Sequence, residues 1–243
     1  MKIKSLAKAI DILELVAWAD GPVSLKSISS GLGLSGATAS RLASDLTEAG
    51  LLRKSGYRSF EPALGMIHLG QRAMLNYVFP KKVNKILHSR CRSTGLQGDL
   101  AGVFKSHLVY LYNSAHDEAT GRLGLPYTGQ LFNSNIALVV LATKYGEAEA
   151  LRLLRGSLVE KDSAFSKDAV NSFKGRLGML AEFGYSFLDG GSYWNACMPL
   201  RWREETLGLA LYGAPGEIEE RDRLVFEVKR LRADIEEMLL NME

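Results

Sequence analysis

The stretch SLKSISSGLGLSGATASRLASDLTEAGLLRKSGYRSFE, residues 24–61, decides how the N-terminal quarter of the chain folds. Ser24 is placed to start a short helix whose inward residues are Leu25 and Ile28. Gly31-Leu32-Gly33-Leu34 then turns the chain, a connection too short for anything but a tight corner, before Ser35 caps a longer helix. There Ala39, Leu42 and Leu46 recur at helical spacing and form the core face, leaving Gly36, Ala37, Thr38, Ser40, Arg41 and Ser44 toward solvent. After Gly50, residues 51–55 and 58–61 flank Gly56-Tyr57, where glycine supplies the positive φ of a two-residue hairpin turn. Helix, glycine corner, helix and basic hairpin, in that order, are the plan of a winged helix-turn-helix.

The exposed face of the longer helix suits a duplex groove. A major groove about 12 Å wide admits a helix only if its leading side chains do not hold the backbone away. Ser35, Ala37, Thr38, Ser40 and Ser44 are small, and Arg41 adds a charge that reaches phosphate or base edges. Arg53, Lys54 and Arg58 gather on the hairpin with no acid before Glu61, which favours phosphate or minor-groove contact over internal ion pairing. Gly31, Gly33 and Gly36 also satisfy the G-x-G-x-x-G dinucleotide fingerprint. A helix precedes them where a strand is required, and no acidic residue stands about 20 positions on to meet a ribose.

Upstream, Ser5 is positioned to cap a helix with Leu6, Ile10, Leu13 and Ala17 inward, and Asp20-Gly21-Pro22 stops it. Residues 1–98 hold 14 Lys/Arg against 6 Asp/Glu, and residues 99–243 hold 16 against 21, so a part of charge +8 precedes one of −5. That imbalance fits a nucleic-acid module joined to something else, since phosphate neutralisation is needed in only one part. With 47% apolar residues, 243 positions suffice for two cores. The N-terminus runs into an amphipathic segment and no run of about 18 apolar residues occurs, so the expectation is a soluble cytoplasmic protein with no membrane partner. Cys91 and Cys197 stand far apart and suit packed thiols in a reducing compartment.

Three segments carry a family resemblance: Ser5-Leu6-Ala7-Lys8-Ala9-Ile10-Asp11-Ile12-Leu13, Leu34-Ser35-Gly36-Ala37-Thr38-Ala39-Ser40-Arg41-Leu42 and Glu48-Ala49-Gly50-Leu51-Leu52. With Gly184-Tyr185 and Pro199 further on, the chain resembles the IclR family of bacterial transcription regulators. The resemblance implies an α+β protein with an N-terminal winged helix-turn-helix (1–61), a linker helix (62–78) and a C-terminal GAF-like effector domain (79–243) whose antiparallel sheet is flanked by helices. It also implies double-stranded DNA as a partner and a homodimer or homotetramer. The recognition helix departs from the family at Ser35, Gly36 and Ser40, where relatives often carry proline, lysine and histidine, so the operator sequence is not transferable.

Pro62 is well placed as the first residue of the linker helix, which continues through Leu64, Ile67 and Leu69 to Tyr77. A basic helix begins near Pro80, with Lys81, Lys82, Lys85, Arg90 and Arg92 around an apolar side of Val83, Ile86 and Leu87. Strands are expected at 99–104 and 108–112 around the turn Lys105-Ser106-His107, and again at 185–189, 196–200 and 207–212. Helices are expected at 133–145, 147–154 and 167–183, and from about Glu217, where Val228, Leu231, Ile235 and Met238 form a stripe.

In the resemblance, the effector sits between the sheet and the start of the helix near Asn133, where the N–H groups of Ser134, Asn135 and Ile136 point outward and suit a carboxylate. Asp189 and Asn195 fall at pocket positions, Ala210 and Tyr212 fall where relatives often place serines, and Phe132 replaces a frequent histidine. Phe132, Trp194 and Tyr212 would stack on an aromatic or larger organic ligand, or else are core residues of a filled pocket.

The four histidines, His68, His88, His107 and His116, are scattered without metal-ligand spacing, so neither metal nor cofactor is expected. No G-x-S-x-G elbow or Walker loop occurs, and no catalytic residue is assigned. The expected function is a ligand-responsive DNA-binding regulator. Its rivals are a small-molecule-processing enzyme with a retained DNA-binding head and a ligand-independent architectural protein.

Overall fold

Ile12 and Val16 of α1 (Lys4–Ala17), Ile28 of α2 (Leu25–Gly31) and Leu42 and Leu46 of α3 (Gly36–Glu48) close on Leu52 and Phe60 to form the core of an N-terminal unit. The computed structural model describes residues 4–76, 79–105, 107–114, 131–156, 167–216 and 218–241. Tyr77, Ser106, His116 and Glu217 lie outside the described residues, as do the side chains of Lys81 and Phe132. The chain divides into two units, Met1–Val78 and Phe79–Glu243.

In the first unit Ser24 caps α2 by accepting the Ser27 N–H at 3.0 Å, and Ser35 caps α3 by accepting the Thr38 N–H at 3.2 Å. Both hydroxyls satisfy N–H groups that a helix start leaves without intrahelical acceptors. The corner between the helices is clamped reciprocally: the Leu34 N–H donates to the Ser29 carbonyl at 2.9 Å, and Ser29 Oγ donates to the Leu34 carbonyl at 2.6 Å. A small antiparallel sheet of order β1-β3-β2 completes the unit, from β1 (Val23–Ser24), β2 (Leu52–Lys54) and β3 (Ser59–Pro62).

Four expectations are corrected here. Ser5 lies inside α1, which already includes Lys4, and so does not cap it. The inward face of α1 is Ile12 and Val16 supported by Ala9 and Leu13, while Leu6 is 57% exposed and Ile10 37%. Apolar residues surround α1, so its periodicity leaves the buried face open and contact with α3 and β3 selects it. The hairpin loop has three residues, Gly56-Tyr57-Arg58, closed by the Ser55 N–H on the Ser59 carbonyl at 3.0 Å, with positive φ at Gly56 (121°) and Arg58 (53°). Pro62 ends β3, paired with Leu52, and α4 (Leu64–Asn76) starts after Ala63.

The second unit is a five-stranded antiparallel sheet of order β5-β4-β8-β7-β6, from β4 (Gln97–Phe104), β5 (His107–Asn113), β6 (Ser186–Asp189), β7 (Trp194–Trp202) and β8 (Glu205–Gly213). Side chains alternate between its faces. Leu100, Met198, Leu200, Leu209 and Leu211 face α5 (Phe79–Thr94) and α9 (Ile218–Leu240). Arg90 of α5 ties these helices together through Glu227 at 3.1 Å and through Asp234. The opposite face carries smaller residues, Ala101, Cys197 and Ala210, against α6 (Asn135–Tyr145), α7 (Glu147–Gly156) and α8 (Lys167–Phe183).

That size difference lets α6 lie flush on the sheet. A Cβ at Gly208 would stand 2.7 Å from Ile136 Cγ2, closer than such atoms approach, so glycine is required there. Residues 135–141 are all buried, as expected of a helix covered by sheet on one side and helices on the other. Cys91 and Cys197 are free and buried, and burial pushes both thiols up. No helix among the described residues is long and apolar enough to cross a membrane.

Candidate nucleic-acid interface and ligand cavity

On α3 the buried Ala39, Leu42, Ala43 and Leu46 leave Ser35, Ala37, Ser40, Arg41 and Ser44 exposed, with Thr38 half-buried beside its cap. Ser35 Oγ and Thr38 Oγ1 lie 2.8 Å apart, a second tie across the first turn beside the cap. Arg41 Nη1 lies 3.4 Å from Asp45 Oδ2, with 62% of the arginine side chain exposed. An exposed i,i+4 pair of this kind contributes about 0–1 kcal/mol, so a phosphate competes for the guanidinium with little to overcome.

The wing differs from expectation at one residue. Arg53 and Glu61 face each other across β2 and β3, and Nη2 meets Oε1 at 2.8 Å. Sequence distance hides this pair, because the hairpin register brings the acid opposite the base. Lys54 is exposed, and Arg58 lies over the ring of Tyr57, 5.3 Å from its centroid, at the exposed tip. The tip therefore presents Lys54, Arg58 and an 87% exposed aromatic ring together.

In the second unit the structure gathers Ser134, Asn135, Ile136, Asn195, Ala210 and Tyr212 between α6 and the sheet. Asn135 Nδ2 donates to Asn195 Oδ1 at 2.7 Å and to the Ser186 carbonyl at 3.2 Å, while Ser186 Oγ donates to Asn135 Oδ1 at 2.6 Å. At the start of α6 one of the three N–H groups expected to point outward, that of Ser134, is already taken. The Ser134 N–H donates to the Leu131 carbonyl at 3.1 Å within the 3-10 turn Leu131–Asn133, and Ser134 Oγ accepts the Ala137 N–H at 3.1 Å.

Strand alternation removes two expected pocket residues. Trp194 packs edge-on against Phe187, with centroids 5.7 Å apart, among the residues facing α5 and α9. Asp189 pairs with Trp194 in the ladder, is exposed, and accepts the Gly191 N–H at 2.9 Å to hold the β6–β7 turn.

A cavity of about 460 Å³ opens beside Tyr212, with Tyr193, Ser192 and Gln97 in its wall. The Tyr193 and Tyr212 rings lie 6.0 Å apart. Tyr212 hydrogen-bonds Asp99, whose carboxyl burial pushes up to about 7 against the opposing effect of that bond. Burial together with the Asp99 charge pushes the Tyr212 phenol up as well. No cluster of three His, Cys, Asp or Glu able to hold a metal ion occurs among the described residues.

Residues 5–56 match the IclR helix-turn-helix domain. The fold of the whole chain agrees. An IclR family transcriptional regulator from Brucella abortus superposes with a TM-score of 0.80 at 17% identity, covering 98% of this chain and 92% of that one. An IclR transcriptional regulator from Alicyclobacillus acidocaldarius gives 0.64 at 19%, covering 97% and 98%. An IclR homolog from Microbacterium hydrocarbonoxydans complexed with 4-hydroxybenzoate gives 0.63 at 16%, covering 98% and 99%. No curated protein matches the chain in sequence. The fold is thus that of IclR transcriptional regulators, with a helix-turn-helix followed by an α+β domain.

Within this IclR fold, the sequence reading missed Asp99, Ser186, Tyr193 and Arg176. Arg176 carries a legible signal. It stands three residues after Phe173 and four before Leu180, inside the apolar stripe of α8, where a lysine or arginine is out of place. Asp99 likewise interrupts a β-rich run at Gly98-Asp99-Leu100-Ala101.

Proposed function

We propose that this chain is a transcription regulator that reads double-stranded DNA with α3 and its wing and answers to a small organic effector held by the C-terminal unit. The observation that carries the reading is the exposed face of α3, with small residues around a 62% exposed Arg41 on a helix capped at Ser35. Ser35, Ala37, Thr38, Ser40, Arg41 and Ser44 would enter the groove, and Lys54, Arg58 and Arg53 would hold flanking phosphates.

A roughly palindromic operator and a homodimer, or a dimer of dimers, go with this reading. The exposed Leu6 and Ile10 of α1 and Leu64 and Ile67 of α4 form apolar surface suited to cover by a second copy. The protein would act in the cytoplasm, bind its effector without turning it over, and use no cofactor. The 4-hydroxybenzoate complex of the Microbacterium relative makes small aromatic acids the first class to try. Coupling of about 1–3 kcal/mol between effector and DNA changes occupancy severalfold to more than a hundredfold.

The test is a gel shift on the promoter fragment beside the protein's own gene, repeated across a metabolite panel. A shifted band that one compound weakens or strengthens is the expected result. Indifference of the folded protein to any duplex at low salt would overturn the reading. Mass spectrometry of each compound after incubation separates regulator from enzyme, because a regulator returns it unchanged.

A further inference from the structure

Tyr57 stands at the tip of the wing with 87% of its surface exposed, and neither α3 nor the phosphate contacts of the wing account for it. Its loop is held from below at two points. The Ser55 N–H donates to the Ser59 carbonyl at 3.0 Å, and the Leu25 N–H of α2 donates to the Arg58 carbonyl at 2.8 Å. The ring therefore projects from backbone tied to the helix-turn-helix, and it gains no burial in return.

Arg58 takes the left-handed backbone region, φ 53°, which glycine would occupy without strain, and lays its guanidinium carbon 5.3 Å from the Tyr57 ring centroid. The same arrangement recurs at the two other non-glycine residues of positive φ among the described residues, Lys105 over Phe104 and Arg203 over Trp202. There the ring stays nearer the body, since Phe104 is 55% exposed and Trp202 half-buried. Turn chemistry therefore accounts for the stacked cation. It leaves unexplained why the ring at the wing is thrust outward.

Lys54 and Arg58 are exposed on the same hairpin, and its one acid, Glu61, is engaged by Arg53 at 2.8 Å. An exposed ring accompanied by two cations and no unpaired acid matches the minor groove, whose rims are phosphate and whose walls are sugar. We propose that Tyr57 is the wing's minor-groove contact, entering edge-on against the sugars and selecting A·T over G·C pairs beneath it. This rests on the chain reading duplex DNA. On that side the pairs differ by the guanine 2-amino group, which projects from the floor of a groove about 6 Å wide. A ring carried in by a short, tied loop meets that group as an obstacle, while A·T steps leave the floor clear and narrow the groove around it. Lys54 and Arg58 supply affinity through phosphates without telling one pair from another. Tyr57 thus adds selectivity beside the positions that α3 reads.

The test uses the full chain to select duplexes from a random-sequence pool, with Tyr57→Ala and Tyr57→Phe in parallel. Wild type should return a core motif with A·T pairs enriched beside it. Tyr57→Ala should return the same core without that enrichment and melt at the wild-type temperature, because the ring is almost wholly exposed. Fluorescence anisotropy is then read on the selected duplex with its flank as A·T, G·C or inosine·cytosine, the last lacking the 2-amino group but keeping the major-groove pattern of G·C. Wild type and Tyr57→Phe should bind the A·T and inosine duplexes within roughly twofold of each other and the G·C duplex at least about fivefold more weakly. Tyr57→Ala should bind the three alike. An inosine flank that binds like G·C overturns the minor-groove assignment. Preference for A·T that survives in Tyr57→Ala overturns the role of Tyr57, and a changed oligomeric state in that variant would then give the ring to a contact between copies. A core motif with no A·T enrichment beside it sinks the inference alone. If folded wild type selects no duplex at all, the DNA-reading proposal fails with it.

Discussion

Asn135 Nδ2 and Asn195 Oδ1 meet at 2.7 Å in the interior, one from the first residue of α6 and the other from β7. Asn195 is 1% exposed and Asn135 3%, and Ser186 closes the network on Asn135 Oδ1. Removing one member strands the others. Asn195→Ala is expected to cost about 1–3 kcal/mol and to lower the melting temperature of the C-terminal unit, read by calorimetry. An Asn195→Ala protein of wild-type stability would show that the network holds nothing in place.

Arg41 and Asp45 lie on the same exposed face of α3, so they should act in opposite directions. Arg41→Ala should weaken operator binding and reduce the slope of log affinity against log salt by about one. Asp45→Ala releases the guanidinium and removes a negative charge, so binding should tighten. Fluorescence anisotropy across a salt series reads both.

The Arg53–Glu61 pair makes a parallel prediction for the wing. Glu61→Gln should free Arg53 for phosphate and strengthen binding at low salt, with a stability change of about 1 kcal/mol or less. If Glu61→Gln weakens binding, the ion pair orients the wing and does not compete with DNA.

Asp99 predicts a pH dependence. Its carboxyl is raised from 3.8 to about 7 in the folded protein by burial, so between those values the folded state holds the proton more tightly than the unfolded chain. The resulting stabilisation is fully present below about pH 4 and disappears as pH rises through 7, a range on the order of 4 kcal/mol at most. Asp99→Asn should therefore flatten the decline in melting temperature between pH 5 and 8 and melt higher than wild type at pH 8. An unchanged profile would place the titrating group elsewhere.

Gly208→Ala tests how closely α6 lies on the sheet. The added methyl would meet Ile136 Cγ2 at 2.7 Å, and overpacking of this kind costs about 1–3 kcal/mol. Pairing the change with Ile136→Val should recover part of the loss in a double-mutant cycle.

Local chemistry made the head legible. Ser24 and Ser35 could be read as caps because a hydroxyl before a helix has a preferred acceptor role whatever surrounds it. Ala39, Leu42 and Leu46 could be read as core because helical spacing puts them on one side and the opposite side is polar. Most strands of the second unit were legible for the same reason, since alternation and turn residues act over a few positions. Trp194 was not, because assigning it a face requires knowing which neighbours cover each side of β7.

The chain by itself determined the order of elements, the capped and slender α3 and the division into two units. Only the tertiary structure decided which side of α1 is buried, that Glu61 sits opposite Arg53, that Asn135 and Asn195 bond to each other, and that Arg176 is buried with Nε and Nη1 finding no acceptor among the described residues. The reason is physical. Caps, turns and periodicity depend on neighbours within about four positions along the chain, whereas pairing, burial and desolvation depend on groups that sequence separation leaves undefined until the sheet register and helix packing bring them together.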